Sequence, residues 1–135
     1  MAEYLKQLPA PDEDSKEFWD GCHRHEFLLQ KCDNQHYRYP PRAICPTCFS
    51  MKFGWEKVGG KGEIYSFIIV RRALDPSWEK DVPFVVADIQ LEQGVRMISN
   101  VVGCKPEEVK IGMKVEVFFE DATDTYSIPK FKPAA

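Results

Sequence analysis

The sequence lacks most of the features that mark membrane-spanning and self-sufficient catalytic proteins. No segment approaches the roughly 20 consecutive apolar residues that cross a bilayer, and residues 1–14 are acidic and polar, without the apolar centre of an export signal. A cytoplasmic address is the expectation. There is no Gly-x-Ser-x-Gly elbow, no phosphate loop and no dinucleotide fingerprint. Histidine is scarce, with three in 135 residues and none beyond His36. The larger, C-terminal part of the chain therefore has no imidazole for acid–base work. A basic excess is missing too. Lys and Arg number 18 against 21 Asp and Glu, a net charge of -3, whereas nucleic-acid binders draw most of their affinity from neutralising phosphates. Internal repeats are absent.

What is present suits a small soluble domain. Hydrophobic residues make up 44% and charged ones 29%, ordinary values for a packed protein. The five cysteines are unevenly placed. Cys32, Cys45 and Cys48 cluster, while Cys22 and Cys104 stand apart. In a reducing compartment such a cluster is more often a metal site than a disulfide framework.

The chain divides into three stretches by composition. Residues 1–25 form an arm in which Ser15 is placed to cap a short amphipathic helix carrying Phe18 and Trp19. This arm has more apolar surface than a solvated tail needs, so docking onto a partner and attachment to its own domain are both expected roles. Residues 26–57 run from EFLLQKC through DNQHYRYPPRAICPTCFS, two cysteine knuckles joined by a Pro-Pro step that cannot sit in a helix. Residues 58–135 read as β-structure: GEIYSFIIVRR, PFVVADIQLE, VRMISNVVG and MKVEVFFED are rich in β-branched and aromatic residues. A short strand over 127–132 supplies a fifth, and the Pro-rich IPKFKPAA end is expected to leave as a tail. Gly94 marks a hairpin, the stretch RALDPSWEKDVPF a longer connection, and KPEEVKIGM a single helical turn. The predicted fold is mostly β: a five-stranded OB-type barrel preceded by a helical arm and a zinc ribbon, since a sandwich wants about seven strands.

The ribbon holds the best candidate site. Zinc in a structural ribbon prefers a closed tetrahedron of thiolates and imidazoles. The second knuckle, Cys45-Pro46-Thr47-Cys48, is intact, but in the first, Cys32-Asp33-Asn34-Gln35, a glutamine stands where a second cysteine is expected. Three completions are open: His36, one place further on; an oxygen of Gln35 or Asp33; or a side chain from Cys22 to His25. His36 is favoured because imidazole binds zinc strongly and a carboxamide poorly. A ribbon held by packing around Pro40-Pro41 without metal is the bland alternative. Three strong ligands with a labile fourth also describe a catalytic zinc, but no acidic base is spaced beside it. Cys104 has no histidine neighbour and reads as a half-buried thiol at a strand end.

The strongest cationic set is Arg71-Arg72 with Arg38, Arg42 and Lys52, near Tyr37, Tyr39, Trp55, Tyr65 and Phe67. It fits two ligands, a single nucleic-acid strand stacked on aromatics or the phosphates and adenine of coenzyme A. The acidic total makes nucleic acid the weaker of the two.

The succession FWDGCHRHEFLLQKC, YPPRAICPTC, the entry GKGEIYSF, DVPFVVADIQLEQGVRMISNVVG and VKIGMKVEVFFE resembles the family catalogued as domain of unknown function thirty-five, an OB-fold with an N-terminal zinc ribbon that accompanies thiolases and related acyl-CoA enzymes. The resemblance covers nearly the whole chain. It implies a non-catalytic accessory subunit whose thiolase-fold partner carries the chemistry, or one serving an acyl-CoA side-chain aldolase. It also implies a structural zinc in the ribbon, for which Cys32, Cys45, Cys48 and His36 are the expected ligands, and a coenzyme A thioester at the interface held mainly by the partner. Trp19, Tyr39, Pro41, Arg42, Arg71 and Arg72 are the candidate partner or coenzyme A contacts. Gln35 departs from the family pattern.

Overall fold

The computed structural model describes residues 4–134; the ends of the expected arm and barrel, residues 1–3 and 135, lie outside them. One helix, α1 (Lys16–His23), precedes eight strands: β1 (Phe27–Cys32), β2 (Tyr37–Arg38), β3 (Phe53–Val58), β4 (Lys61–Val70), β5 (Phe84–Leu91), β6 (Arg96–Val101), β7 (Lys114–Asp121) and β8 (Ser127–Pro133). Strands β2-β1-β3 form a small antiparallel sheet, and β4-β5-β6-β8-β7 close into a five-stranded barrel.

Ser15 sits at the N-cap of α1, but its side chain makes no capping bond. The Ser15 amide instead donates to Asp12 Oδ1 at 2.9 Å while the Asp12 amide donates to the Ser15 hydroxyl at 3.1 Å, a reciprocal clasp that fixes the turn leading into the helix. At the other end His25 adopts a left-handed φ of 61°, and the His25 and Glu26 amides return to the carbonyls of Cys22 and Gly21, the usual way a helix satisfies its last carbonyls. The buried face of α1, Phe18, Gly21 and Cys22, packs inward: the Phe18 ring lies 6.0 Å from Phe27 and 5.5 Å from Tyr39.

The barrel follows from alternation. Along β5, Val85, Ala87, Ile89 and Leu91 are buried while their neighbours are not, the period of two that a half-buried strand requires. With Ile64, Met97, Val101, Val115 and Phe131 they fill the interior, and the same buried cluster continues through Phe27 and Leu29 into Phe18 and Cys22. Ribbon, helix and barrel share one core, joined where Phe27 meets Phe131 at 6.4 Å. Burying each such side chain is worth about 1.5–3 kcal/mol.

One expectation is corrected, and one of the two roles expected of the arm is seen. The Pro-rich end is no tail: β8 runs to Pro133, Phe131 is fully buried, and the Ala134 amide still bonds the Lys114 carbonyl at 3.0 Å. An exposed tail has no reason to carry an aromatic, and Phe131 plugs the barrel. Pro129 and Pro133 stand opposite Phe119 and Val115 of β7, while β6 meets β8 only at Val101 and Phe131. An edge with so few ladder bonds tolerates proline. The arm, for its part, attaches to its own molecule. Lys6 pairs with Asp81 at 2.9 Å and lies over Trp78, crossing the connection between β4 and β5.

Candidate metal centre

Cys32 ends β1, and its amide bonds the His36 carbonyl while the Gln35 amide returns to the Cys32 carbonyl. This tight turn places Gln35 at a φ of 69°, and the next residue, His36, brings its Nδ1 to 3.5 Å from Cys32 Sγ. The second knuckle mirrors it: the Thr47 amide donates to Cys45 Sγ at 3.4 Å, the Phe49 amide to the Cys45 carbonyl, and Phe49 has a φ of 62°.

The two turns bring Cys32, His36, Cys45 and Cys48 together, with one donor atom of each lying within 4.8 Å of all the others. Cys32 Sγ stands 3.7 Å from Cys48 Sγ and 3.5 Å from His36 Nδ1, and Cys45 Sγ is 3.8 Å from that nitrogen. A zinc tetrahedron with bonds of about 2.3 Å to sulfur and 2.0–2.1 Å to nitrogen has edges of about 3.8 Å between sulfurs and roughly 3.6 Å from sulfur to nitrogen. The donor set and its spacing fit that ion.

Three of the other proposed fourth ligands, Asp33, Cys22 and His25, are engaged elsewhere. Asp33 accepts the Ser50 hydroxyl at 2.6 Å. Cys22 is fully buried in the core, and burial pushes its thiol up to about 12. His25 Nε2 meets Asp121 at 2.7 Å, with its ring stacked on Phe119. The surroundings favour thiolate at Cys48 and Cys45 and oppose it at Cys32. Cys48 is held below its ordinary value by the Asn34 side-chain amide, which donates to its sulfur at 3.3 Å, and by the Ser50 amide. Burial raises Cys45, but the Cys48 and Thr47 amides outweigh it and the net shift is downward. Burial dominates at Cys32 and raises it.

The expected contact residues are more dispersed. Trp19 meets Phe18 edge-on at 5.2 Å. Tyr39 is packed on Phe18, and burial lifts its phenol to about 12. Pro41 is half-buried and Arg42 exposed, and the Arg42 amide is bound by Gln30 Oε1 at 2.8 Å. Arg71 and Arg72 are exposed just beyond β4 and make no ion pair among the described residues. Arg38 does not belong to a cationic surface at all, since only 2% of it is exposed. Sequence reading alone missed Asn34 as a thiolate donor, and it missed the exposed apolar rim Ile44, Phe49 and Met51 around the second knuckle. The available signal was a segment, 36–55, with no acidic residue.

Residues 19–53 match the family described as ChsH2, rubredoxin-like zinc ribbon domain, and residues 55–120 match ChsH2, C-terminal OB-fold domain. A DUF35 domain-containing scaffold protein of Methanocaldococcus jannaschii is 44% identical over 103 residues, which cover 70% of this chain and 72% of that one. The chain belongs to the DUF35 family. A relative with a different name, the probable enoyl-CoA hydratase alpha subunit of Thermomonospora curvata, is 30% identical across 96% of the chain, which spans only 40% of that protein's length. Among solved structures, one described as Ltp2-ChsH2(DUF35) aldolase superposes with a TM-score of 0.85 at 30% identity, covering 95% of this chain and 100% of the other. The ribbon-and-barrel architecture of DUF35 proteins is thus the architecture of this chain. No helix among the described residues is long and apolar enough to cross a membrane.

Proposed function

We propose that this chain is the non-catalytic accessory subunit of an acyl-CoA enzyme, and that its partner is a thiolase-type subunit carrying out carbon–carbon bond cleavage or formation on a coenzyme A thioester. The observation that carries the reading is the full-length similarity to the DUF35 chain of the Ltp2-ChsH2 aldolase. That description favours aldolase chemistry on the acyl side chain over thiolysis. The scaffold name of the Methanocaldococcus relative and the hydratase alpha-subunit name of the Thermomonospora one support the same class of role.

In this reading Cys32, His36, Cys45 and Cys48 hold a structural zinc. The ion would tie the two knuckles together and supply folding free energy. All four positions are protein side chains, two of them buried and two half-buried, so the site is of the closed type without a place for a reacting water. Arg42, Arg71 and Arg72 remain exposed and suit a rim contacting the partner or the coenzyme A phosphates. Trp19 and Pro41 add apolar area, and interfaces are enriched in aromatic residues, whereas the Tyr39 ring is committed to Phe18 inside the molecule. A single-strand nucleic-acid role is disfavoured because its basic and aromatic set is not a groove: Arg38 and the Tyr39 ring are taken up by internal packing.

Co-expression with a thiolase-type enzyme encoded beside the gene tests this. The expected result is a stable hetero-oligomer in gel filtration whose formation survives 0.5 M salt, on the order of the ionic strength that screens surface charge within a few ångströms. A chain that elutes alone as a monomer in every such combination overturns it.

A further inference from the structure

The ribbon buries a cation with no carboxylate beside it. Arg38 is 2% exposed, its Nε donates to Gln30 Oε1 and the Arg42 carbonyl, and its Nη2 donates to the same carbonyl at 2.7 Å. Its Nη1 and the Gln30 Nε2 have no hydrogen-bond partner, and no acidic group pairs with it among the described residues. The Glu56 carboxylate beside β2 is taken by Tyr37 and Lys31. A guanidinium keeps its charge when buried, and an uncompensated buried charge is strongly destabilising. Something nearby must balance it.

Register shows what lies next to it. Arg38 is opposite Gln30, Cys32 is opposite Phe53, and the Cys32 amide bonds the His36 carbonyl. In a sheet, directly opposed residues share a face, as do residues two apart. Cys32, His36 and Phe53 therefore form one row of a face, and Gln30, Arg38 and Trp55 the next row, about 7 Å along. The guanidinium leans toward the first row, its carbon lying 4.5 Å over the Phe53 ring. Three thiolates, a neutral imidazole and a divalent ion sum to a net charge of -1, the opposite of the charge that Arg38 brings.

We infer that Arg38 is the buried counter-cation of the metal centre, a positioning residue that makes the ribbon favour an anionic three-thiolate, one-imidazole site. The inference rests on the zinc reading above. A filled centre is a monoanion, so a fixed positive charge one row away favours the filled state. The row spacing sets only the scale: at an effective dielectric near 20, opposite unit charges about 7–12 Å apart attract strongly enough for a change of roughly tenfold or more in zinc affinity.

The test is chelator-competition titration of zinc into the full chain at pH 7, comparing the wild type with Arg38→Met, Arg38→Lys and Gln30→Glu. The expected outcome is that Arg38→Met binds zinc about tenfold or more weakly, while Arg38→Lys, which keeps the charge but not the fork, stays within about threefold. Gln30→Glu preserves shape but neutralises Arg38 locally, and it is expected to weaken zinc binding as Arg38→Met does. It decides the matter if Arg38→Met does not fold. Unchanged affinity in Gln30→Glu, or equal losses in Arg38→Met and Arg38→Lys, overturns the counter-cation role while leaving the zinc site standing. A wild-type chain that takes up no zinc overturns both.

Discussion

At the scale of single residues the metal centre depends on a one-place shift. Gln35 sits where a thiolate is expected, with a left-handed backbone, and the donor that joins the three sulfurs is the imidazole of the next residue, His36. Cys45→Ser should lower bound zinc well below one equivalent, read by metal analysis of the purified chain. Chelation of the wild type should lower its Tm by on the order of 10 °C, since structural zinc contributes its binding free energy to folding. A second prediction concerns alkaline pH. Burial holds both the Cys22 thiol and the Tyr39 phenol at about 12, above the roughly 8.5 and 10 of an unfolded chain. The folded state keeps those protons longer, so the stability is fully present below about pH 8.5 and is lost as pH rises toward 12. Cys22→Ala should cost about 1 kcal/mol at pH 7 as a small buried truncation, yet flatten the first part of the alkaline decline. Denaturant midpoints at pH 7, 9 and 10.5 would show both effects.

Elements show which parts of the fold were legible. Four of the barrel strands could be read from their β-branched and aromatic residues, and β5 follows the period of two residue by residue. The knuckle pair could be read from cysteine spacing. The final strand was half legible: its prolines suggested a departing tail, whereas the decisive residue is Phe131, whose burial depends on Phe27 arriving from the ribbon, a long-range contact that no local window contains. Arg38 was illegible for the same reason, since its register opposite Gln30 and its distance from solvent are properties of the assembled sheet. Phe131→Ala should cost about 3–5 kcal/mol by opening a cavity where β6 meets β8, measured by urea denaturation. At the ribbon–barrel junction Gly60 has a φ of 70°, and a Cβ there would lie 2.1 Å from Val117 Cγ1 and 3.1 Å from the Phe27 ring. Gly60→Ala should therefore lose about 2 kcal/mol or more.

At the scale of the whole molecule the parts cooperate. Helix, ribbon and barrel share a core, so a zinc centre that stabilises the knuckles would also stabilise the helix and barrel packed against them. His25 adds a link between the helix end and β7: its ring is stacked on Phe119 and its Nε2 meets Asp121, whose carboxyl is held below the usual range by that contact and by the Ser127 hydroxyl. The exposed apolar rim at Ile44, Phe49 and Met51, on a segment whose only charges are basic, suits a partner surface with an acidic border. The most direct test of the accessory-subunit account is turnover of an acyl-CoA substrate by the thiolase-type partner, assayed with the partner alone, this chain alone, and the two together. The account predicts no turnover by the chain alone and at least a tenfold gain when it joins the partner, a gain lost with Cys45→Ser. Metal-dependent turnover by the isolated chain, or a partner equally active without it, would contradict the account.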